Sequence, residues 1–99
     1  MSINISPNQA QKIADFVCEN YFWKCKNDVE IKCYNYVDDA FGECSLEGNV
    51  ISLYKGGQNI KTLSHELAHH IFKLRNHTTQ FNMISSNIRR FIEHYIFIY

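Results

Sequence analysis

Over about residues 59–74 the sequence describes a helix with two faces that want different things. Ile60, Leu63, Leu67, Ile71 and Leu74 fall within ~80° of one another on a helical projection, while His65 and His69 lie nearly opposite. One side must be covered by the rest of the chain and the other left approachable. The rest of the chain is short: 99 residues allow one core and no second domain, so a single unit over 1–99 is expected. A chain of this size buries only ~60–65% of its unfolded surface, which makes a thin fold helped by a bound ion a natural solution.

The polar face carries His65-Glu66-Leu67-Ala68-His69, an HExxH motif. Residues four apart on a helix sit ~40° apart around the axis and ~6 Å along it. Two imidazoles so placed can reach one metal ion at ~2.1 Å and leave positions for a third ligand and a water. Glu66 projects beside such an ion rather than onto it, where a general base for that water belongs. The expected metal is Zn2+, with His65 and His69 as ligands and Glu66 as the catalytic base.

The third ligand has two candidates. His77 lies just past the helix end, where a reversal at Arg75-Asn76 can swing it over the metal face; Glu93, on the following helix, is the alternative. The longer HExxHxxGxxH pattern is excluded, because Phe72 and Arg75 occupy its glycine and histidine positions. His70 lies ~100° around the helix from His69, too far to bind the same ion, and reads as a hydrogen-bond donor behind the ligands, a contact to substrate or an exposed surface histidine. Tyr54, Tyr95 and Tyr99 are candidate donors to a developing oxyanion, with aromatic packing as the default for each.

Upstream, Ser6-Pro7 can open a helix over about 7–22, with Ala10, Ile13, Ala14, Val17, Cys18 and Tyr21 as its apolar face. After a break at Asn27-Asp28, Val29, Ile31 and Cys33 alternate with polar neighbours as a half-buried strand does. Ala40 to Leu46 predicts a second strand, Glu47-Gly48-Asn49 a tight reversal, and Val50 to Tyr54 a third strand, the expected docking edge for an extended peptide. Gly56-Gly57 ends the sheet. A last helix over about 79–96 presents Phe81, Ile84, Ile88, Phe91, Ile92 and Tyr95, and its end is expected to cap the core. The fold class is thus α+β in the order α-β-β-β-α-α, a small antiparallel-dominated sheet packed on the HExxH helix.

Three blocks carry a resemblance. Phe41-Gly42-Glu43-Cys44 through Val50-Ile51-Ser52-Leu53, then His65-Glu66-Leu67-Ala68-His69, then Asn76-His77-Thr78-Thr79-Gln80-Phe81, in that order over about residues 40–82, resemble the SprT-like, WLM and YgjP-type minimal zinc metallopeptidases. The resemblance implies a minimal zincin-like fold, His65, His69 and His77 as zinc ligands, and Glu66 as catalytic base. The sequence shows no zinc ribbon or basic tail, so the DNA-associated role of larger SprT-like proteases is not implied.

Composition narrows the setting. A formal net charge of +0 gives no general grip on nucleic acid or an anionic membrane, and direct binding to either is not expected. No apolar run approaches the ~20 residues of a membrane span, and Met1 to Phe22 lacks a secretory pattern. Cys18, Cys25, Cys33 and Cys44 contain no CxxC pair and are expected as reduced thiols in a cytoplasmic protein. Abundant Asn, Ile and Lys point towards an AT-rich genome, a viral one in host cytoplasm among the options. The expectation is a zinc metallopeptidase acting on a protein or peptide substrate through a metal-activated water. Its alternatives are a non-catalytic, zinc-stabilised binding module and a repressor-cleaving protease of the ImmA/IrrE type.

Overall fold

The computed structural model describes residues 4–20, 29–45, 47, 49–72 and 77–96, with residues 95 and 96 as backbone only. The elements are α1 (Pro7–Asn20), β1 (Glu30–Cys33), β2 (Gly42–Ser45), β3 (Val50–Leu53), α2 (Ile60–Phe72) and α3 (Thr79–Ile96). The expected reversals at Asn27-Asp28 and Arg75-Asn76, and residues Tyr21, Cys25, Leu46, Gly48, Leu74 and Tyr99, lie outside the described residues. The α+β class and the order of elements agree with the sequence reading.

α1 starts where its cap chemistry dictates. Gln9 donates its backbone N–H to Ser6 Oγ at 3.2 Å, and Ser6 N–H donates to Gln9 Oε1 at 2.9 Å, a reciprocal capping box. Further along, Gln11 ties the helix to β1: its Nε2 donates to Val29 O and its Oε1 accepts from Ile31 N–H, both at 2.9 Å. The buried face of α1 is Ala10, Ile13, Ala14, Val17 and Cys18, as its helical spacing predicts.

The sheet order is β1-β3-β2, with β1 parallel and β2 antiparallel to β3. Two expectations are overturned here. The sheet is evenly mixed rather than antiparallel-dominated, and β3 is its central strand rather than a docking edge. Burial explains both. Val50-Ile51-Ser52-Leu53 is the most apolar strand, with Ile51 and Leu53 fully buried, whereas β1 and β2 each alternate exposed and half-buried positions. The strand with most to hide takes the middle, and the segment Tyr34 to Asn49 is long enough to carry the chain across for a parallel pairing. The reversal into β3 uses Asn49 at φ 54, the left-handed region that asparagine tolerates better than most side chains.

α1 covers β1 while α2 covers β2 and β3 on the same face, and α3 packs on α2 and α1 as a third layer. Ile51, Leu53, Ile60, Leu63, Leu67, Phe81, Ile88 and Ile92 form the centre of the core. Phe91, half-buried, stacks on Phe16 with ring centroids 5.7 Å apart, so this part of α3 closes the core as expected. Cys18, Cys33 and Cys44 are thiols, and burial raises the Cys33 thiol above its usual range. No described helix is long and apolar enough to cross a membrane.

Candidate metal centre

Two local devices set the frame of the site. Gly57 lies so close to the Phe41 carbonyl that a Cβ there would fall 2.1 Å from the oxygen, so only glycine lets β3 exit past the start of β2. Asn59 then caps α2, accepting the Thr62 N–H on Oδ1 at 2.9 Å. α2 follows with its apolar stripe on the sheet. At the other end, Thr78 caps α3 through Oγ1, which accepts the Phe81 N–H at 3.1 Å. That cap fixes the backbone immediately after His77.

The result brings His65, His69 and His77 together. Nε2 of His77 lies 3.1 Å from Nε2 of His65 and 3.1 Å from Nε2 of His69. Nitrogens held at ~2.1 Å by one tetrahedral ion lie ~3.4 Å apart, so the three rings stand close to the spacing a single metal demands. Among the described residues they form one cluster of ligand atoms within 4.8 Å of one another. Beneath them lies the fully buried ring of Phe81, with centroids 5.0 Å from His65, 4.3 Å from His69 and 5.3 Å from His77. An apolar floor restricts the imidazoles without competing for the ion.

Electrostatics favours a neutral ring at His65. Burial, then the neighbouring His69 and His77, pushes the His65 imidazole down to about 4. A neutral imidazole is the form that ligates metal. Glu66 shows the opposite shift: burial, then the Glu43 carboxylate, pushes it up to about 7. It is only 6% exposed yet lines the same cleft as the three histidines. Gly42 makes this packing possible, since a Cβ there would lie 2.9 Å from Thr62 Cγ2 and 3.2 Å from Glu66 Cγ.

The cleft encloses about 680 Å³. Ala40, Phe41, Gly42 and Gly56 line it on the sheet side, the histidines and Glu66 lie on it, and Asn82, Ser85, Ser86 and Arg89 line it from α3. Asn59, Lys61 and Thr62 complete it from the start of α2. The α3 stripe was not singled out in the sequence, although its i, i+3, i+4, i+7 spacing of polar residues was there to be read.

Other candidates go elsewhere. Glu93 is outside the histidine cluster and pairs with Arg89, Nε to Oε1 at 3.8 Å. His70 is 1% exposed rather than a surface residue. On the projection it falls ~20° from Leu63, at the rim of the apolar stripe, and the packing of α2 takes it in. Tyr54 does not line the cleft; it is buried against Tyr34 with centroids 5.5 Å apart and donates to Glu43 Oε2 at 3.0 Å. Burial and that hydrogen bond push its phenol up to about 12. Packing is thus its role, and the side chains of Tyr95 and Tyr99 lie outside the description.

No protein-family model, no curated protein and no solved structure matches this chain.

Proposed function

We propose that the protein is a zinc metallopeptidase, with His65, His69 and His77 as ligands, Glu66 as general base and a protein or peptide as substrate. One observation carries the reading: three imidazoles converge, His77 Nε2 lying 3.1 Å from Nε2 of His65 and of His69, in a cleft that also holds a buried carboxylate. The donor set suits zinc, which takes three protein ligands and keeps a solvent position when catalytic. Zinc bound there supplies Lewis acidity and a solvent molecule whose pKa falls toward ~7.

The chain's own residues then divide the work. Glu66 takes the proton from the attacking solvent and returns it to the leaving amine. Its burial suits this role, because a carboxylate shielded from bulk water holds a proton near neutral pH. The peptide lies along the outer edge of β2, whose inner edge is occupied by β3 and whose Gly42 lines the cleft. Backbone pairing there lays an extended chain across the histidines. The resemblance of the three sequence blocks to SprT-like, WLM and YgjP-type metallopeptidases supports the same reading.

The competing reading is a zinc-stabilised binding module with no turnover. Glu66 weighs against it, since a structural site closes its fourth position and gains nothing from a buried carboxylate nearby. The test is a digest of an unbiased peptide library by zinc-loaded wild type and zinc-loaded Glu66→Gln. The expected result is cleavage by wild type, with zinc retained and cleavage lost in the variant. Equal cleavage by the two removes Glu66 from its role, and none by wild type favours the module.

A further inference from the structure

The charge lining the cleft differs from that of the whole molecule. The chain carries +0 overall, yet the cleft holds two cationic side chains, Lys61 and Arg89, and one carboxylate, the buried Glu66. Arg89 is the better placed for recognition. It extends the polar stripe Asn82, Ser85, Ser86 along the cleft side of α3, so that two hydroxyls stand one turn below a guanidinium. This wall is hydrophilic and cationic, in contrast to the opposite rim, where Phe41 is 66% exposed.

Arg89 has capacity to spare. Its ion pair with Glu93 closes only to 3.8 Å, beyond the ~2.7–2.9 Å of a charge-assisted hydrogen bond, with the two side chains 40% and 45% exposed. Exposed i,i+4 pairs of this kind are worth little and exchange readily. A guanidinium presents five N–H donors in a planar fork that matches a carboxylate, and partial enclosure in a cleft strengthens such a bond relative to open water.

From these observations we infer that Arg89, with Ser85 and Ser86, is a specificity subsite that takes a carboxylate of the peptide substrate. The inference rests on the peptidase reading above and extends it to the substrate's chemistry. Distance sets where that carboxylate falls. Phe81 lies under the histidines, and Arg89 is eight residues further along α3, ~12 Å at 1.5 Å per residue. An extended peptide covers ~3.3 Å per residue, so the carboxylate belongs roughly three to four residues from the scissile bond. An Asp or Glu side chain and a free chain terminus both supply that group.

Matched peptide pairs test this with two independent readouts. One pair differs by Glu against Gln, scanned over the four positions on each side of the cut bond; the other has a free against an amidated C-terminus. The first readout is kcat/KM with zinc-loaded wild type, Arg89→Gln and Arg89→Lys. The second is binding of the same peptides to zinc-loaded Glu66→Gln, with and without Arg89→Gln, by fluorescence anisotropy. The subsite predicts about tenfold preference for the acid at one position, lost in Arg89→Gln and partly kept in Arg89→Lys. Preference in the first pair alone identifies a side chain as the source, and in the second alone the chain terminus. Hydrolysis or binding that is indifferent to the acid overturns the subsite and leaves the peptidase reading standing. Acid-selective binding that needs Arg89, without hydrolysis of any peptide, keeps the subsite and overturns the peptidase reading.

Discussion

On one side of α2, Leu63, Leu67 and Ile71 are packed out of solvent between the sheet and α3; on the other, His65 and His69 are half-buried and turned towards His77. The two faces share a backbone, a cap at Asn59 and a length, and differ only in side chains. The apolar face is held from many directions at once. The histidine face is held at its ends, by the cap of α2 and the Thr78 cap beside His77, and from below by Phe81. One face therefore stores the stability, and the other gathers the side chains that could hold a metal ion. A chain of 99 residues has few other places to keep the two apart.

The sharpest way to break that separation is to delete a side chain from each face. Leu67→Ala, at a fully buried position, should cost about 2–5 kcal/mol in chemical denaturation, with or without zinc. His69→Ala should change the stability of the metal-free protein little and abolish the rise in Tm on adding zinc. For a ligand at ~1,000-fold its Kd that rise corresponds to about 4 kcal/mol. If Leu67→Ala removed zinc binding from the molecules that remain folded, the two faces would not be independent.

A smaller effect sharpens the picture at the boundary between the faces, where β2 meets Glu66. Gly42→Ala introduces a Cβ at 2.9 Å from Thr62 Cγ2, and overpacking of this kind costs about 1–3 kcal/mol. The loss should appear in the melting of the metal-free protein as well, because the clash is between β2 and α2 rather than with the ion.

Phe81→Leu probes the floor beneath the rings. It keeps an apolar side chain but removes the aromatic surface that contacts all three imidazoles. Groups that orient ligands typically contribute 10–100-fold to metal affinity, and the lower end is expected here, read by competition with a chromophoric chelator. An unchanged zinc affinity would make Phe81 a core residue only.

The subtlest effect is on pH dependence without metal. The carboxyl of Glu66 is raised from 4.5 to about 7 by burial and then by Glu43. The unfolded chain releases that proton first as pH rises, so the contribution to stability is full below 4.5 and is lost as pH climbs to about 7. His65 runs the other way: its imidazole is lowered from 6.5 to about 4, so its contribution is full above 6.5 and is lost as pH falls to about 4. Glu66→Gln should therefore melt above wild type at pH 7.5 in chelator, and the gap should close by pH 4.5. A gap that is constant with pH contradicts the buried carboxylate.

The sequence made the helices legible because periodicity and caps reinforce each other. Ser6-Pro7 marks the start of α1 and the bounds 79–96 of α3 match, since both helices carry a long apolar stripe. The sheet was legible as strands but not as an order. Strand pairing is set by which strand hides most surface, and local alternation does not rank β1, β2 and β3 against one another. Within the site, HExxH announced two of the three clustered histidines and the buried Glu66, and the position of His77 past α2 made it the candidate to join them. The depth of His70 and the cleft stripe of α3 were encoded in helical angles that become meaningful only once neighbouring layers are in place.

Whether three histidines share one ion is read by X-ray absorption at the zinc edge, on protein loaded with one equivalent of zinc. The expected spectrum shows a shell of three imidazole nitrogens and one light solvent oxygen at ~2.0–2.1 Å, with the imidazole scattering lost stepwise in His65→Ala, His69→Ala and His77→Ala. A sulfur scatterer at ~2.3 Å, or protein that holds no stoichiometric zinc, would contradict it.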